Sequence, residues 1–230
     1  MSKIQRALFW FKDGNESLEE LNKKFYPLSL LLTRFLAESY EGKKVRLINI
    51  YFKTEQTYQL HPTSVKNYIH YGEGMLWYND VIDLGYFNRL SEVAQRQFIW
   101  KRSLEILQEA SAKIKEEQLQ HAAKYSYEKG VSIELDTDFE MLSVNINLNH
   151  QDCVASLRIT FVGNDMCANL LIRCGNRILL DRLIDKAQLG NEFFLEIFKK
   201  IEFDGKSVIL KGRREVGYLP YKIDVKSIDS

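Results

Sequence analysis

Residues 90–130 read LSEVAQRQFIWKRSLEILQEASAKIKEEQLQHAAKYSYEKG, and this stretch decides the fold because it is the longest with helical spacing. Ser91 can begin the helix, since its hydroxyl can accept a hydrogen bond from an amide of the first turn. The apolar side of this predicted helix carries Val93, Trp100, Leu104, Leu107 and Ile114. The spacing slips near residues 115–118, which predicts a kink or a second helix before Gly130, where a left-handed stop is expected. A helix this long needs a sheet or other helices to cover it.

A second helical pattern lies near the N-terminus. Asn15 is its predicted N-cap, and the helix is expected to end near Gly42. Pro27 lies inside the pattern, so it either kinks the helix or begins a second one, where its missing amide costs nothing. The apolar residues keep a spacing of three or four and are Leu18, Leu21, Phe25, Leu28, Leu32 and Phe35.

Residues 45–82 are expected to supply the strands of a small sheet. VRLINIYFK, residues 45–53, is dense in β-branched and aromatic residues and indicates a largely buried strand. Residues 4–12 fit a strand or a helix, because their apolar residues satisfy both spacings. Further strands are predicted at residues 58–60, 68–71 and 75–82.

From Val131 onward, apolar and polar residues alternate as they do in strands with one buried face. The alternation runs to Leu148 and resumes between Cys153 and Phe161. Adjacent strands joined by short glycine-containing turns are expected to pair antiparallel. The remaining predicted elements are strands at residues 167–173, 177–184, 208–210 and 221–225, and a helix capped by Asn191 that carries Phe194, Ile197, Phe198 and Ile201.

These patterns together predict an α+β protein. Helices are expected to pack on a small N-terminal sheet, followed by a C-terminal antiparallel β-meander with one inserted helix. At 230 residues the chain is long enough for one large domain or two small ones. We therefore expect a helical and small-sheet region at 1–129 and an antiparallel β region at 130–230, with a single composite domain as the alternative.

Composition places the chain among ordinary globular proteins. Lys plus Arg number 32 against 31 for Asp plus Glu, so the net charge of +1 gives the whole molecule no bias toward nucleic acid or anionic lipid. Three cysteines fit reduced thiols in a cytosol better than a disulfide framework. No apolar run approaches the length of a membrane span, and no cleavable leader is evident. The sequence predicts a soluble cytoplasmic protein.

Motifs for metal binding, cofactor binding and catalysis are missing. The histidines and cysteines lack the spacings of zinc sites, and there is no phosphate loop, dinucleotide loop or nucleophile elbow. We therefore predict neither a metal nor a cofactor. His70, with Glu73 nearby, is the one cluster suited to acid–base chemistry, and a half-buried histidine in an aromatic strand fits the same residues.

Tyrosines are concentrated between residues 51 and 86, which hold six of the twelve, with Trp77 among them. Tyrosine and tryptophan offer large contact areas at low entropy cost, so they gather in protein recognition surfaces. Strands are also rich in tyrosine for packing reasons alone. The candidate contact residues of this segment are Tyr68, Tyr71, Trp77 and Tyr78.

Glu134, Asp136, Asp138 and Glu140 stand two residues apart. If residues 131–140 form a strand, all four carboxylates lie along one face, where their mutual repulsion would fall on meeting a basic partner. A solvated outer face is the alternative. The four residues therefore complete the predicted partner-binding set.

These features favour a non-catalytic, cytosolic module that binds another protein, one with a basic surface such as a toxin domain. A bacterial immunity protein that blocks a toxin is the concrete version. One alternative is a small hydrolytic enzyme that uses His70 with Glu73 or Asp80, and Arg213–Arg214 for an anionic substrate. The other is nucleic-acid binding through the basic segment from Lys199 onward, which the charge balance makes the less favoured partner class.

Overall fold

A computed structural model describes residues 3–148 and 150–225 of the chain. The chain folds into two compact units, Met1–Thr137 and Asp138–Ser230. The α+β architecture predicted from the sequence is confirmed: a mixed sheet with helices comes first, and an antiparallel meander with a second small sheet follows. Whether the predicted halves 1–129 and 130–230 are separate domains stays a prediction.

The N-terminal unit contains a five-stranded sheet in the order β2-β1-β3-β5-β4. Strands β1, β3 and β5 run parallel to one another, while β2 and β4 pair antiparallel with β1 and β5. The elements of this unit are β1 (Arg6–Asp13), β2 (Glu16–Ser17), α1 (Glu19–Lys24), α2 (Tyr26–Ser39), β3 (Leu47–Lys53), α3 (Glu55–Leu60), β4 (Tyr68–Gly72), β5 (Met75–Val81), α4 (Leu84–Phe87), α5 (Glu92–Ile114) and α6 (Glu117–Ser132).

Helix α5 begins where the sequence predicts, because the Ser91 hydroxyl accepts a hydrogen bond from the Ala94 amide at 3.3 Å. The slip in spacing is a break between two helices, with Lys115 in the left-handed conformation at φ 53°. Gly130 is not a stop, since α6 continues to Ser132. A Cβ at Gly130 would lie 2.4 Å from the Trp100 ring, so this glycine permits close packing of α6 on α5.

Pro27 stands in the first turn of α2, so the second of the two alternatives for this residue is correct. The predicted cap at Asn15 is wrong, because the short strand β2 follows it and α1 starts after Leu18. The segment at residues 58–60 is helical rather than extended. The Thr54 hydroxyl caps α3 by accepting from the Thr57 amide, a local signal that outweighs the strand propensity of Tyr58.

Helices α1 and α2 close one edge of the sheet. Three β1 amides donate to their side chains: Ala7 to Thr33 Oγ1 at 2.8 Å, Phe9 to Ser29 Oγ at 3.1 Å and Phe11 to Asn22 Oδ1 at 2.7 Å. These side chains take the place of a further strand, so the backbone donors of β1 are satisfied without one.

One face of the sheet forms the main core with α2, α5 and α6. The alternate residues of each strand point into it, and a buried pair of charges lies at its margin. Arg102 donates to both carboxylate oxygens of Asp80, at 2.7 and 2.8 Å, and this pairing raises the pKa of the guanidinium. The strand residues in this core are Ala7, Phe9, Phe11, Ile48, Ile50, Phe52, Ile69, Leu76 and Tyr78.

The C-terminal unit combines the predicted meander with a small second sheet. Its four long strands pair antiparallel in the order β6-β7-β8-β9, and β10-β11-β12 form the second sheet. The elements are β6 (Phe139–Leu148), β7 (Gln151–Val162), β8 (Asp165–Cys174), β9 (Arg177–Gln188), α7 (Phe194–Ile197), β10 (Phe198–Phe203), β11 (Ser207–Gly212) and β12 (Tyr221–Asp224).

The predicted helix at residues 191–201 is only one turn long. Residues from Phe198 onward form β10, whose pairing with β11 shifts register between Phe198 and Lys200. The irregularity allows Phe198 and Ile201, three residues apart, both to be buried in an extended segment. Helical spacing therefore arose here from a bulged strand.

The expectation of three reduced thiols is wrong for two of them. Cys153 on β7 and Cys174 on β8 form a disulfide with their Cα atoms 4.1 Å apart, and Cys167 is free. The pairing of β7 with β8 brings the two cysteines together across 21 residues of chain, which their spacing alone does not indicate.

Candidate functional site

Strand alternation gives the N-terminal sheet a second face, opposite to the core shared with α2, α5 and α6. Five ring side chains from four strands lie on it, and we call this surface the aromatic face: Trp10, Tyr51, Tyr68, His70 and Trp77. Tyr68 and His70 are exposed, and the other three are half-buried. The surface is therefore rich in rings that remain partly accessible to solvent.

The rings stack in two pairs set by strand pairing. His70 and Trp77 are direct partners across β4 and β5, and their rings stack with centroids 4.8 Å apart at 15°. Trp10 and Tyr51 are partners across β1 and β3, with centroids 6.5 Å apart at 20°. Trp10 is also held by a hydrogen bond from its Nε1 to Asn49 Oδ1 at 3.0 Å. Such contacts fix the rings before any ligand arrives.

Positive charge accompanies the rings. Lys53 Nζ lies 5.5 Å from the Tyr51 ring centroid and donates to Ser64 Oγ at 2.9 Å. Burial, together with the charge of Lys12, lowers the pKa of Lys53, while burial raises the pKa of Tyr51. Within the described strands β1, β3, β4 and β5, the positions on this side include Arg6 and no Asp or Glu.

A cavity of about 590 Å³ opens on the aromatic face. One member of each stacked pair, Tyr51 and Trp77, contributes to its wall, so a flat group in the cavity would meet a ring from either pair. Hydroxyl and amide groups add polar contacts. The lining residues are Tyr51, Thr63, Ser64, Val65, Tyr68, His70, Trp77 and Asn79.

The structure separates the four predicted aromatic contact residues. Tyr68 and Trp77 belong to the aromatic face, and Tyr68 also carries Lys113 Nζ at 4.5 Å from its ring centroid. Tyr71 lies on the other side of β4 and donates its hydroxyl to the Lys44 carbonyl at 2.7 Å. Tyr78 is 0 % exposed and donates to Glu109 Oε2 at 2.5 Å, so it offers no surface to a partner.

The predicted row of four carboxylates does not form, because residues 131–140 are not one strand. Val131 and Ser132 end α6, and Glu134 follows in a turn with φ 54°. Strand β6 begins only at Phe139. The alternation in this segment reflects a helix end and a turn that buries Leu135. The prediction of an extended segment here is therefore wrong.

The individual carboxylates have different surroundings. Asp138 forms an ion pair with Arg158 at 3.2 Å, and Glu140 faces Arg158 across β6 and β7. Glu134 and Asp136 line a second cavity, of about 880 Å³, which Arg96 and Lys101 also line. That cavity mixes both signs of charge and so gives a partner no consistent electrostatic signal. A role of these four residues in binding stays a prediction.

The residues of the predicted hydrolytic site do not come together. His70 is exposed on the aromatic face, whereas Asp80 points to the opposite side of the sheet and is paired with Arg102. Glu73 lies in the turn between β4 and β5, at φ 53°. Arg213 forms an ion pair with Glu196. In the part of the chain that the structure describes, no group of three or more His, Cys, Asp or Glu side chains could hold a metal ion.

Sequence reasoning missed Trp10, Tyr51, Lys12 and Lys53 as site residues. The available signal was the alternation in RALFWFKD, residues 6–13, where Trp10 falls between the buried Phe9 and Phe11. That pattern puts Trp10 on the opposite side of the strand, although it does not show which side the helices cover.

Comparisons with known proteins add no relative. No protein-family model, curated protein or solved structure matches this chain. Among the described helices, none combines the length and apolar character needed to cross a bilayer. Inference about function therefore starts from the geometry of the aromatic face.

Proposed function

We propose that this chain is a non-catalytic binding module whose aromatic face holds an acidic segment of another protein. The observation that carries the proposal is the presence of two pre-stacked ring pairs on a face whose strand charges are all positive. The partner predicted from the sequence was basic. Its sign is reversed here because the row of carboxylates is not formed, whereas the aromatic face is.

Ring side chains suit such a role for two physical reasons. Tyr and Trp bury large areas with few rotatable bonds, so they dominate the energy of many interfaces. The stacking of His70 on Trp77 and of Tyr51 on Trp10 restrains these side chains beforehand, which lowers the entropy cost of binding. Lys53 and Lys12 favour an acidic partner over a basic one.

The proposal is tested by affinity capture from the source cells with three forms of the full chain. Wild type should retain a protein with an acidic segment, and Trp77→Ala should lose it, with about 2 kcal/mol or more of binding energy removed, as for a hot-spot residue. Tyr86→Ala is the matched control, because Tyr86 is 49 % exposed on α4, away from the aromatic face. Equal capture by wild type and Trp77→Ala, or a partner that is basic, would contradict the proposal.

Inhibition of a bacterial toxin is the finer form of this proposal. Its support is limited to the presence of a preformed recognition surface without catalytic groups on it. Co-expression with a toxin encoded beside the gene should restore growth, and the Trp77→Ala variant should fail to do so. Restored growth with both forms would place the contact elsewhere on the chain.

A cytoplasmic location is likewise proposed, and the Cys153–Cys174 disulfide is the observation that opposes it, since disulfides are rare in reducing compartments. Alkylation of thiols in intact cells decides the matter. A cytoplasmic protein should show three alkylated cysteines, and an exported one should show Cys167 alone.

A further inference from the structure

A smaller cavity lies at the carboxyl ends of the parallel strands β1 and β3. Its volume is about 190 Å³, and open sheets commonly bind ligands at these strand ends. No lining residue is acidic, and two are lysines. The lining residues are Lys12, Gly14, Asn15, Lys53, Thr57, His61 and Ser64.

Hydrogen bonds hold the polar side chains of this cavity in place. Lys53 Nζ donates to Ser64 Oγ at 2.9 Å, which leaves the Ser64 proton available to a ligand. His61 Nε2 and Asn15 Oδ1 share a hydrogen bond of 2.9 Å, so the Asn15 amide nitrogen can donate elsewhere. Two ammonium groups, one hydroxyl and one amide can therefore donate to the same ligand.

The charge of the cavity is not compensated by its surroundings. Among the described residues, neither Lys12 nor Lys53 forms an ion pair with a carboxylate, and their proximity contributes to the lowered pKa of Lys53. The neighbouring acids are engaged elsewhere: Asp13 accepts from Thr54 Oγ1 at 2.6 Å, and Glu55 pairs with Lys66. Two unpaired lysines beside one cavity repel each other, and a bound anion would remove that repulsion.

We propose that this cavity is an oxyanion site that takes the phosphate group of a small ligand. A volume of about 190 Å³ equals that of about six water molecules in the liquid, at roughly 30 Å³ each, so it accommodates a tetrahedral oxyanion with a few waters. Lysine ammonium groups and hydroxyls are the donors that phosphate meets in proteins. This site does not rest on the proposed protein-binding function.

The ligand can extend beyond the phosphate. Ser64 lines both this cavity and the cavity of the aromatic face, and Lys53 reaches the ring of Tyr51. A phosphate ester with an aromatic ring would place its phosphate beside the lysines and its ring between Tyr51 and Trp77. Inorganic phosphate would occupy the small cavity alone.

Isothermal titration of the full chain with inorganic phosphate, at constant ionic strength, tests the site. Wild type should bind one phosphate, and Lys53→Met should weaken binding by about tenfold or more, as expected on losing a charged hydrogen bond. Lys66→Met is the matched control, because Lys66 is a nearby lysine that pairs with Glu55 and does not line the cavity. Urea unfolding of each variant shows that the fold is retained.

Two results overturn the proposal: no saturable phosphate binding by wild type, or an equal loss in Lys53→Met and Lys66→Met. A second arm with adenosine monophosphate distinguishes the two sources of phosphate. Tighter binding than inorganic phosphate, with the excess lost in Trp77→Ala, supports the site with an aromatic ester as its ligand. Equal binding of the two supports the site with free phosphate. Affinity capture of a protein partner can fail without affecting either arm.

Discussion

The two faces of the N-terminal sheet are made from adjacent residues of the same chemical kind. Tyr51 and Phe52 are neighbours on β3, as are Trp77 and Tyr78 on β5, yet Phe52 and Tyr78 are fully buried while Tyr51 and Trp77 line a cavity. The difference teaches that ring content does not decide whether a strand segment stabilises the fold or forms a surface. The side on which the helices pack decides it.

The sharpest test of this comparison replaces the two neighbours on β3. Phe52→Ala should lower the free energy of unfolding by about 3–5 kcal/mol, because Phe52 packs between Phe9 and Phe11 in the core. Tyr51→Ala should cost about 1 kcal/mol, since that ring is only half-buried. Urea unfolding followed by tryptophan fluorescence measures both. Equal costs would show that the aromatic face is also a structural core.

Tryptophan fluorescence is specific to this comparison. All three tryptophans, Trp10, Trp77 and Trp100, lie within residues 1–137, so the signal reports the N-terminal unit alone. Unfolding of the C-terminal unit therefore does not distort the measured free energy.

The buried pair on the covered face gives the next largest effect. Arg102→Ala should destabilise the N-terminal unit by about 3 kcal/mol, because it leaves the carboxylate of Asp80, which is 3 % exposed, without its partner. Lys124→Ala breaks the exposed pair with Glu128 and should change stability by less than about 0.5 kcal/mol. Similar losses in the two variants would mean that Asp80 finds another partner or reaches water.

Alkaline pH should act through the buried tyrosine of β5. Burial and the hydrogen bond to Glu109 raise the pKa of Tyr78, so the folded state holds its proton while the unfolded chain releases it near pH 10. The stability that Tyr78 contributes is therefore complete below about pH 10 and is lost as the pH rises further. In Tyr78→Phe, unfolding midpoints between pH 9 and 11 should fall less steeply with pH than in wild type. An unchanged slope would contradict the assignment.

The smallest expected effect lies on the aromatic side. Lys12→Met should leave the free energy of unfolding within about 0.5 kcal/mol of wild type, or raise it slightly, because it removes the repulsion between Lys12 and Lys53. Residues that serve binding often contribute little to stability or oppose it. A clear destabilisation would show that Lys12 supports the fold, and the cavity beside it would lose its interpretation as a ligand site.

Much of the fold could be predicted from the sequence because local signals agreed with the tertiary structure. The Ser91 cap and the apolar spacing after it placed α5 within a residue of its start, and the β-branched run at residues 45–53 became β3. These segments combine high propensity with burial on the expected side, so no competing interaction displaces them.

The errors arose where one pattern has two structural causes. Alternation at residues 131–140 came from a helix end and a turn, and helical spacing at residues 194–201 came from a bulged strand. The site was harder still. Alternation shows that Trp10 and Phe11 point to opposite sides, but the choice of the covered side depends on the order β1-β3-β5 and on the crossover connections between parallel strands.

The sealing of β1 by Asn22, Ser29 and Thr33 limits how copies of this sheet can associate. Addition of a strand from another molecule is left to the far edge, at β4. Two copies joined through that edge would form one continuous ten-stranded sheet, with a sealed β1 side at each end, and growth would stop there. Assembly by this route ends at a pair and does not lead to a fibre.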